Sequence, residues 1–375
     1  MHVDDLSVED FRNYVTASVA LAPGLNLVVG RNAQGKTNLL EAVNSLSGLG
    51  SPRGPDSALV REGADQAVVH ATVVRGERRV RIDLELRPGR GLRALVNRTP
   101  ADARTLGEVF TCVFFGPDEL SLVKGSPDGR RRFLDDLVVK LRPARHPLRK
   151  EFERTLKQKN ALLKSAPARR SPSDSVRETL DVWDEAFARA SAALVAERLR
   201  TLEGLTPFAE ERYVSVAGGG RIELTYSSGW ADHVPGTPVP SEEELVEMMR
   251  AGLATARPKE LERGMALVGP QRDDVVVRLG RSETMDARLY ASQGDQRTAA
   301  LALKLAEHDL LTETLNEQPV LLLDDVFSEL DPSRRTWLAK AVAGVGQTLV
   351  SSADTDAAPL EGTAKVLRVE AGTIS

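Results

Sequence analysis

The chain has 375 residues, of which 41% are hydrophobic and 4% aromatic, and its formal net charge is −4. This length fits one large domain or two ordinary ones. No run approaches the roughly 18–20 uninterrupted apolar residues of a membrane span, and the single cysteine, Cys112, excludes an intramolecular disulfide framework. Because the acidic N-terminus lacks an apolar stretch, we expect no signal peptide, a cytoplasmic location and a buried Cys112 thiol.

The first 115 residues or so predict mainly strands. Segments 3–8 and 15–21 predict a hairpin around the turn 11–14, and the apolar run 25–29, which ends at a glycine, predicts a buried strand. Three further segments alternate between apolar and polar residues and predict a meander. They are 68–74, 80–86 and 92–96.

Helical patterns replace strands from about residue 127 to 205, with a predicted loop at 167–172. Strands are predicted at 221–226 and 275–279, and Ser241 begins a capping box that opens a helix through 254. The last hundred residues alternate between helix and strand. The two ends of the chain therefore predict an α/β lobe, and the middle predicts a helical insertion lobe. We place the α/β lobe, which carries the nucleotide motifs described next, at 1–125 and 265–375, and the insertion at 126–264.

A phosphate-binding sequence of the form G-x-x-x-x-G-K-[ST] spans residues 30–37, between the predicted strand and a predicted helix. This context favours a nucleotide site, because backbone N–H groups of such a loop and the positive end of the helix both point at the phosphates. Lys36 is expected to reach the β- and γ-phosphates, and Thr37 offers a hydroxyl to Mg²⁺.

A second apolar strand, 320–323, ends in the carboxylates Asp324 and Asp325. Ligands of α/β sheets bind at the carboxyl ends of the strands. Asp324 is therefore predicted to hold Mg²⁺, and Asp325 is placed to orient or deprotonate an attacking water. The two motifs must meet in one site, although an acidic pair that closes a strand is common by itself.

Ser292-Gln-Gly294-Asp-Gln296 precedes a long helical pattern. One interpretation is a helix cap made by Ser292 with Asp295, and another is the signature sequence S-x-G-x-Q of ABC ATPases, which directs a helix N-terminus at a γ-phosphate. Both can hold together. Asp331 is predicted to cap a helix begun by Pro332, and with residues 328–330 it also matches the D-loop that follows the acidic pair in these ATPases.

Positive charge is concentrated between Lys124 and Arg170, where 15 Lys and Arg residues face 5 acids, so this segment carries +10. The remainder of the chain is then −14. Such polarity is expected of a surface for a polyanion, although a solvated helical face would also produce it.

The ordered set of motifs resembles the RecF family, relatives of the SMC and Rad50 heads. Five features carry this resemblance: F-R-N-Y at 11–14, the asparagine at 32, G-S-P with R-R-R-F-L-D at 125–135, G-P-Q-R-D-D at 269–274 and D-D-V-F-S-E-L-D at 324–331. It covers about residues 3–352. It implies an ABC-type, Rad50/SMC-like P-loop ATPase head without a coiled coil. Gln271 departs from the family's histidine, and Asp295 from its usual Glu or Gln.

The resemblance implies a weak, DNA-stimulated ATPase with ATP and Mg²⁺ as cofactors, with Asp325 and Lys36 in catalysis and Thr37 and Asp324 at the metal. ATP would be held by Gly30, Arg31, Asn32, Ala33, Gln34, Gly35, Lys36, Thr37, Asn38 and Arg12. Each site of an ATP-dependent homodimer would be completed in trans by Ser292, Gly294, Gln296 and Asp331.

The resemblance also implies binding to double-stranded DNA beside single-stranded gaps and help in loading RecA, with RecR and RecO as partners. Contacts to DNA phosphates are expected from the basic segment. The candidates are Arg130, Arg131, Arg132, Lys150, Lys157 and Lys159, with a structural role open for Arg132.

Three other classes of protein are weighed against this interpretation. A transporter ATPase subunit would hold Lys36 and Asp324 much closer in sequence, and its switch histidine is replaced here by Ser351-Ser352. A small-molecule kinase would not need the signature or the D-loop. An SMC-type chromosome organiser would need hundreds of heptad residues, which this chain lacks.

Overall fold

The computed structural model describes residues 1–165, 174–353 and 364–375, without the side chains of residues 174–177 and 329. The predicted loop at 167–172 and two arginines of the basic segment, Arg169 and Arg170, lie outside the described residues. Within the described part, no helix combines the length and the apolarity that crossing a membrane requires.

Strands of the described chain are β1 His2–Phe11, β2 Tyr14–Ala20, β3 Leu25–Val29, β4 Ala67–Arg75, β5 Arg78–Arg87, β6 Gly91–Val96, β7 Thr99–Ala101, β8 Cys112–Phe115, β9 Arg221–Ser227, β10 Asp274–Gly280, β11 Thr284–Asp286, β12 Val320–Asp324, β13 Thr348–Ser352, β14 Lys365–Glu370 and β15 Thr373–Ile374.

Its α-helices are α1 Lys36–Ser45, α2 Ala103–Val109, α3 Ser121–Lys124, α4 Pro127–Leu141, α5 Pro147–Ser165, α6 Asp174–Ala217, α7 Glu242–Arg263, α8 Ala287–Tyr290, α9 Gln293–Leu315 and α10 Pro332–Ala343. Short 3₁₀ turns lie at Asp56–Leu59, Pro117–Leu120, Pro143–Arg145 and Val326–Glu329.

The chain forms two compact units, one of Met1–Leu120 with Ala300–Ser375 and one of Ser121–Ala299. The predicted division into an ATPase lobe and a helical insertion lobe stays a prediction. The first unit contains an antiparallel sheet in the order β2-β1-β4-β5-β6-β7 and a second sheet in the order β15-β14-β3-β13-β12-β8. The helical second unit carries a small sheet, β11-β10-β9.

The antiparallel sheet confirms the predicted hairpin and meander. In β1 the residues Val3, Leu6 and Val8 are all buried, although strict alternation would send Val3 and Leu6 to opposite faces. The pairing of β1 with β4 shifts between Val3 and Asp5, and this extra residue returns Leu6 to the core face.

The second unit has its own core, in which Phe152 and Phe187 lie with ring centroids 5.5 Å apart. The capping box at Ser241 is confirmed. However, α7 does not stop at 254 as predicted: it continues to Arg263 and ends at Gly264, whose φ of 65° is left-handed. Buried Glu260 keeps this helix on the core beyond the predicted end.

Candidate functional site

The predicted phosphate-binding loop and acidic pair lie at the same edge of the parallel sheet. In register, Ser352 pairs with Val29, and Ser351 pairs with Asp324. Neighbouring β8 pairs Phe115 with Leu323. Because these strands run parallel, their carboxyl ends meet at this edge, where α/β sheets place ligands.

The loop between β3 and α1 requires both of its glycines. A Cβ on Gly30 would lie 2.2 Å from the backbone oxygen of Val369. Gly35 has a φ of 120°, and a Cβ there would lie 2.8 Å from the side chain of Asn13. Ala33 is also left-handed, with a φ of 64°, while Arg31 and Asn32 are exposed. The result is a tight loop that leads directly into the N-terminus of α1.

Lys36, the first residue of α1, folds back over this loop. Its Nζ donates to the carbonyl oxygens of Gly30 at 2.7 Å and Arg31 at 3.0 Å. Burial lowers the pKa of Lys36, and the nearby charges of Asp325 and Asp324 oppose that shift. The ammonium group is thus held beside the loop, where it can reach an anion that the loop cradles.

Thr37 and Asp324 are in direct contact. The Thr37 hydroxyl donates to Oδ1 of Asp324 at 2.9 Å, and the hydroxyl of Ser351 donates to the same oxygen at 2.7 Å. Burial raises the pKa of Asp324, while these two hydrogen bonds work against the shift. The two residues predicted to hold Mg²⁺ therefore present oxygen atoms at one point.

Asp325 has a left-handed backbone, with a φ of 51°, which is uncommon for a residue with a side chain. Its N–H donates to Oγ of Ser351 at 2.9 Å, and its carbonyl oxygen accepts from the Ser328 hydroxyl at 2.8 Å. These contacts hold the turn that carries the predicted water-orienting carboxylate.

The turn between β1 and β2 contacts and supports the phosphate-binding loop. The Tyr14 hydroxyl donates to the carbonyl oxygen of Gly35 at 2.8 Å, and the amide of Asn13 donates to that of Gln34 at 2.8 Å. Asn38 donates to Oδ1 of Asn13 at 2.7 Å. The sequence predicted the turn at 11–14 but not this support, because the distance of the turn from the loop depends on the tertiary fold.

Arg12, predicted to bind ATP, pairs with a buried carboxylate on α1. Its Nη2 donates to Oε1 of Glu41 at 2.9 Å and its Nε to Oε2 at 3.0 Å. Ser51 and Arg53 also contact Glu41, at 2.9 and 3.4 Å. Glu41 was not predicted as a site residue. Its spacing of four residues from Thr37 puts both on one face of α1, which is the signal that could have found it.

A cavity of about 270 Å³ opens beside these groups. Thr37, Arg53 and Asp324 line it, together with the segment 116–119 that follows β8. It therefore brings the hydroxyl of Thr37, the carboxylates of Asp324, Asp118 and Glu119, and the guanidinium of Arg53 to the same space.

The signature residues lie in the second unit. Oγ of Ser292 accepts from the N–H of Asp295 at 3.2 Å and donates to its carboxylate at 2.8 Å, so Ser292 does cap α9. Gln296 is buried, and its Nε2 donates to the carbonyl oxygen of Ala287 at 3.0 Å. The carbonyl oxygen of Gly294 accepts from Thr298 at 2.8 Å. In the first unit, Asp331 caps α10 as predicted.

Two of the predicted DNA contacts are wrong, because their side chains are buried. Lys159 is fully buried and pairs with Asp184 at 2.5 Å and Glu260 at 2.8 Å. Arg130 is 5% exposed and forms a two-pronged pair with Asp274, at 2.7 and 2.8 Å. A DNA phosphate cannot reach either group without breaking these pairs.

The other candidates divide by exposure. The side chain of Arg131 is only 13% exposed; it pairs with Asp128 and donates to the carbonyl oxygen of Asp273 at 2.5 Å. Arg132 is half-exposed, and Lys150 and Lys157 are exposed on α5. Of the six candidates for DNA contacts, only Arg132, Lys150 and Lys157 present their charges to solvent.

Comparison with known proteins assigns nearly the whole chain to a family. The profile of the RecF/RecN/SMC N terminal domain matches residues 2–373. A protein of Streptomyces avermitilis named DNA replication and repair protein RecF is 47% identical over 96% of this chain and 95% of its own length. A protein of Frankia alni with the same name is 43% identical over 100% and 99%.

Solved structures agree with this placement. A structure described as the recombination mediator protein RecF-ATPrS in the RecFOR pathway superposes with a TM-score of 0.87 and 28% identity, covering 100% of this chain and 97% of that one. An Smc head bound to the C-terminal winged-helix domain of ScpA gives a TM-score of 0.56 at 16% identity and shares the fold. The predicted ABC-type ATPase head fold is thereby confirmed, and the chain belongs to the RecF family within the RecF/RecN/SMC N-terminal domain group.

Proposed function

We propose that this chain is an ATP-dependent DNA-binding protein of recombinational repair, which closes as a homodimer on double-stranded DNA next to single-stranded gaps. In this proposal it assists RecA loading together with RecR and RecO, in repair, replication and the SOS response, and slow ATP hydrolysis ends the DNA-bound state. The names of its relatives, DNA replication and repair protein and recombination mediator protein, support this assignment.

The observation that carries the proposal is the contact between Thr37 and Asp324 at the end of the phosphate-binding loop. The loop, the N-terminus of α1 and Lys36 offer donors and positive charge to the phosphates of ATP. A relative at 29% identity has been solved with ATP, which supports the choice of nucleotide.

The residues present fit Mg²⁺. This ion prefers oxygen ligands and is usually held by one or two protein groups together with phosphate and water oxygens. Thr37 and Asp324 supply such oxygens. A site built from protein ligands alone would require a cluster of three or more His, Cys, Asp or Glu residues, and none suited to a metal occurs among the described residues. When bound, Mg²⁺ would neutralise charge on the β- and γ-phosphates.

Hydrolysis needs a group that orients the attacking water, and Asp325 is proposed for this role. It follows Asp324 directly, and its backbone is fixed through Ser351. Its carboxylate is one methylene shorter than that of a glutamate, which favours slow turnover. Lys36 would stabilise charge on the phosphates.

The proposed dimer follows from the same chemistry. Ser292 caps α9, so that helix presents an N-terminus with a hydroxyl beside it, which attracts an anion. We propose that Ser292 and Gly294 of one subunit face the γ-phosphate held by the other, with Asp331 nearby. Gln296 is buried, so its proposed part is to hold the turn before α9 through Ala287.

For DNA, the exposed face of α5 is the surface we propose. It carries Lys150, Arg154, Lys157 and Lys164, all exposed, at intervals of four, three and seven residues. These intervals put the four charges on one side of the helix, opposite buried Phe152. They span about 21 Å at 1.5 Å per residue, a length suited to successive backbone phosphates.

The test is ATP-dependent self-association, measured by sedimentation with and without gapped duplex. We expect wild type to dimerise with ATP, and Asp325→Asn to remain trapped as a dimer because it binds ATP but hydrolyses it poorly. Ser292→Arg should bind nucleotide yet stay monomeric, while Lys36→Arg should bind nucleotide weakly. Normal dimerisation of Ser292→Arg would mean that each site is complete within one chain.

A further inference from the structure

Three arginines converge on one buried carboxylate in the second unit. Glu197 of α6 has a side chain that is 3% exposed. Nη1 of Arg142 lies 2.6 Å from its Oε2, and Arg145 and Arg200 lie 3.2 and 2.9 Å from its Oε1. Arg142 and Arg145 lie in the segment between α4 and α5, and Arg200 is one turn along α6 from Glu197, so two separate parts of the chain meet here.

The cluster carries more positive charge than its own folding requires. One guanidinium would neutralise Glu197, whereas three leave an excess of two charges. The arginine side chains are 48%, 47% and 41% exposed, although the carboxylate that gathers them is not. Each guanidinium has five N–H donors and uses one nitrogen in its nearest contact with Glu197, so further donors are directed at solvent.

We propose that Arg142, Arg145 and Arg200, gathered by Glu197, form one binding site for two adjacent phosphates of a nucleic-acid backbone. This inference rests on the DNA binding in the proposed function and adds a site outside α5. Arginine suits it because the planar fork of a guanidinium matches two phosphate oxygens at once. Glu197 acts as a positioning residue: its carboxylate holds three mutually repelling cations together before DNA arrives.

Position in the chain favours DNA over an acidic protein as the partner. Arg145 lies five residues before Lys150, the first charge of the exposed row on α5. The arginine cluster and the row of exposed charges on α5 therefore follow each other along one unit. This arrangement suits a ligand whose negative charge repeats regularly. An acidic peptide would be expected to need apolar contacts as well, and the three arginines offer none.

The test is the salt dependence of duplex binding. The triple variant Arg142→Gln, Arg145→Gln, Arg200→Gln should bind duplex DNA about tenfold or more weakly, and the slope of log K against log salt should become about two units shallower, because two phosphates lose their partners. Arg250→Gln is the matched control, since Arg250 is also 41% exposed but is fully engaged with Glu185 on another helix. It should leave the slope unchanged.

The variant Glu197→Gln tests whether Glu197 positions the three arginines or affects DNA binding only through its own negative charge. If only net charge mattered, removing an anion would tighten binding to DNA. If Glu197 organises the arginines, the variant should bind duplex about threefold or more weakly despite its extra positive charge. Tighter or unchanged binding by a folded Glu197→Gln would overturn the positioning role.

The outcomes distinguish the site from the proposed function. Wild type that fails to bind duplex would overturn the DNA-binding function and this site with it. Wild type that binds, with a triple variant of equal affinity and slope, would overturn the site alone and leave α5 as the DNA surface. Circular dichroism and thermal melting of each variant establish that the chain is folded.

Discussion

The hydroxyl of Ser351 donates to Oδ1 of Asp324 at 2.7 Å and accepts from the N–H of Asp325 at 2.9 Å. One buried side chain therefore connects the carboxylate of Asp324 to the backbone N–H of Asp325. Because serine does not titrate in the physiological range, its contribution is to orientation: it fixes the carboxylate of Asp324 and the left-handed turn at Asp325.

Ser351→Ala should slow ATP hydrolysis by about 10- to 100-fold, because the water-orienting carboxylate loses its fixed position. Nucleotide affinity should change little, since the loop and Lys36 remain. Single-turnover hydrolysis and nucleotide titration check the two parts. Ser45→Ala is the control: Ser45 is equally buried, but its hydroxyl bonds to Ala42 within α1. Equal hydrolysis by Ser351→Ala and wild type would contradict the positioning role.

Lys157 and Lys159 differ in burial, and exchanging each for methionine should separate DNA binding from stability. Lys159→Met should lower the free energy of unfolding by about 3–5 kcal/mol, because it leaves Glu260 buried without its cation and Asp184 with Arg257 alone. Lys157→Met should leave stability nearly unchanged and weaken duplex binding. Urea denaturation and duplex titration measure these effects. A stable Lys159→Met with weakened DNA binding would restore the original prediction for that residue.

Tyr14→Phe should weaken nucleotide binding although Tyr14 lies outside the loop sequence. The substitution removes the hydrogen bond to the carbonyl oxygen of Gly35, which then accepts only from the N–H of Leu39, at a cost of about 0.5–1.5 kcal/mol. Burial also raises the pKa of Tyr14, so the hydroxyl stays a donor throughout the usual pH range. Calorimetric titration with ATP checks the prediction; unchanged affinity would mean that the loop holds its shape unaided.

Asp273 should make stability depend on pH. Burial raises the pKa of this carboxyl to about 6, against an ordinary value of 3.8, and Tyr226 and Arg198 oppose the shift. Because the folded pKa lies above the unfolded one, the contribution of Asp273 to stability is full below about pH 4 and is lost as the pH rises through about 6. The stability of Asp273→Asn relative to wild type should therefore be higher at pH 8 than at pH 5.

Thermal melting at the two pH values measures this difference. Asp65→Asn serves as the control, because Asp65 is exposed. If the difference in melting temperature between Asp273→Asn and wild type were the same at pH 5 and pH 8, Asp273 would not be titrating in the folded chain within this interval.

Local patterns in the sequence sufficed for the loop at 30–37, the strand that ends at Asp324, the meander and the caps at Ser241 and Asp331. Each depends on residues close together in the chain: glycines with left-handed φ, a run of apolar residues, or a side-chain oxygen three residues before its partner. Such features are predictable because their physical cause is local.

Tertiary structure alone decided which charges are available. Lys157 and Lys159 are two residues apart and chemically identical, yet one is exposed and the other is enclosed by α6 and α7. Similarly, no spacing in the sequence indicates that Ser351 would reach Asp324, or that Arg142 and Arg145 would share Glu197 with its helical neighbour Arg200. These contacts join segments that are distant in the chain, so burial and pairing follow from the packing of the elements, which residue type and spacing do not specify.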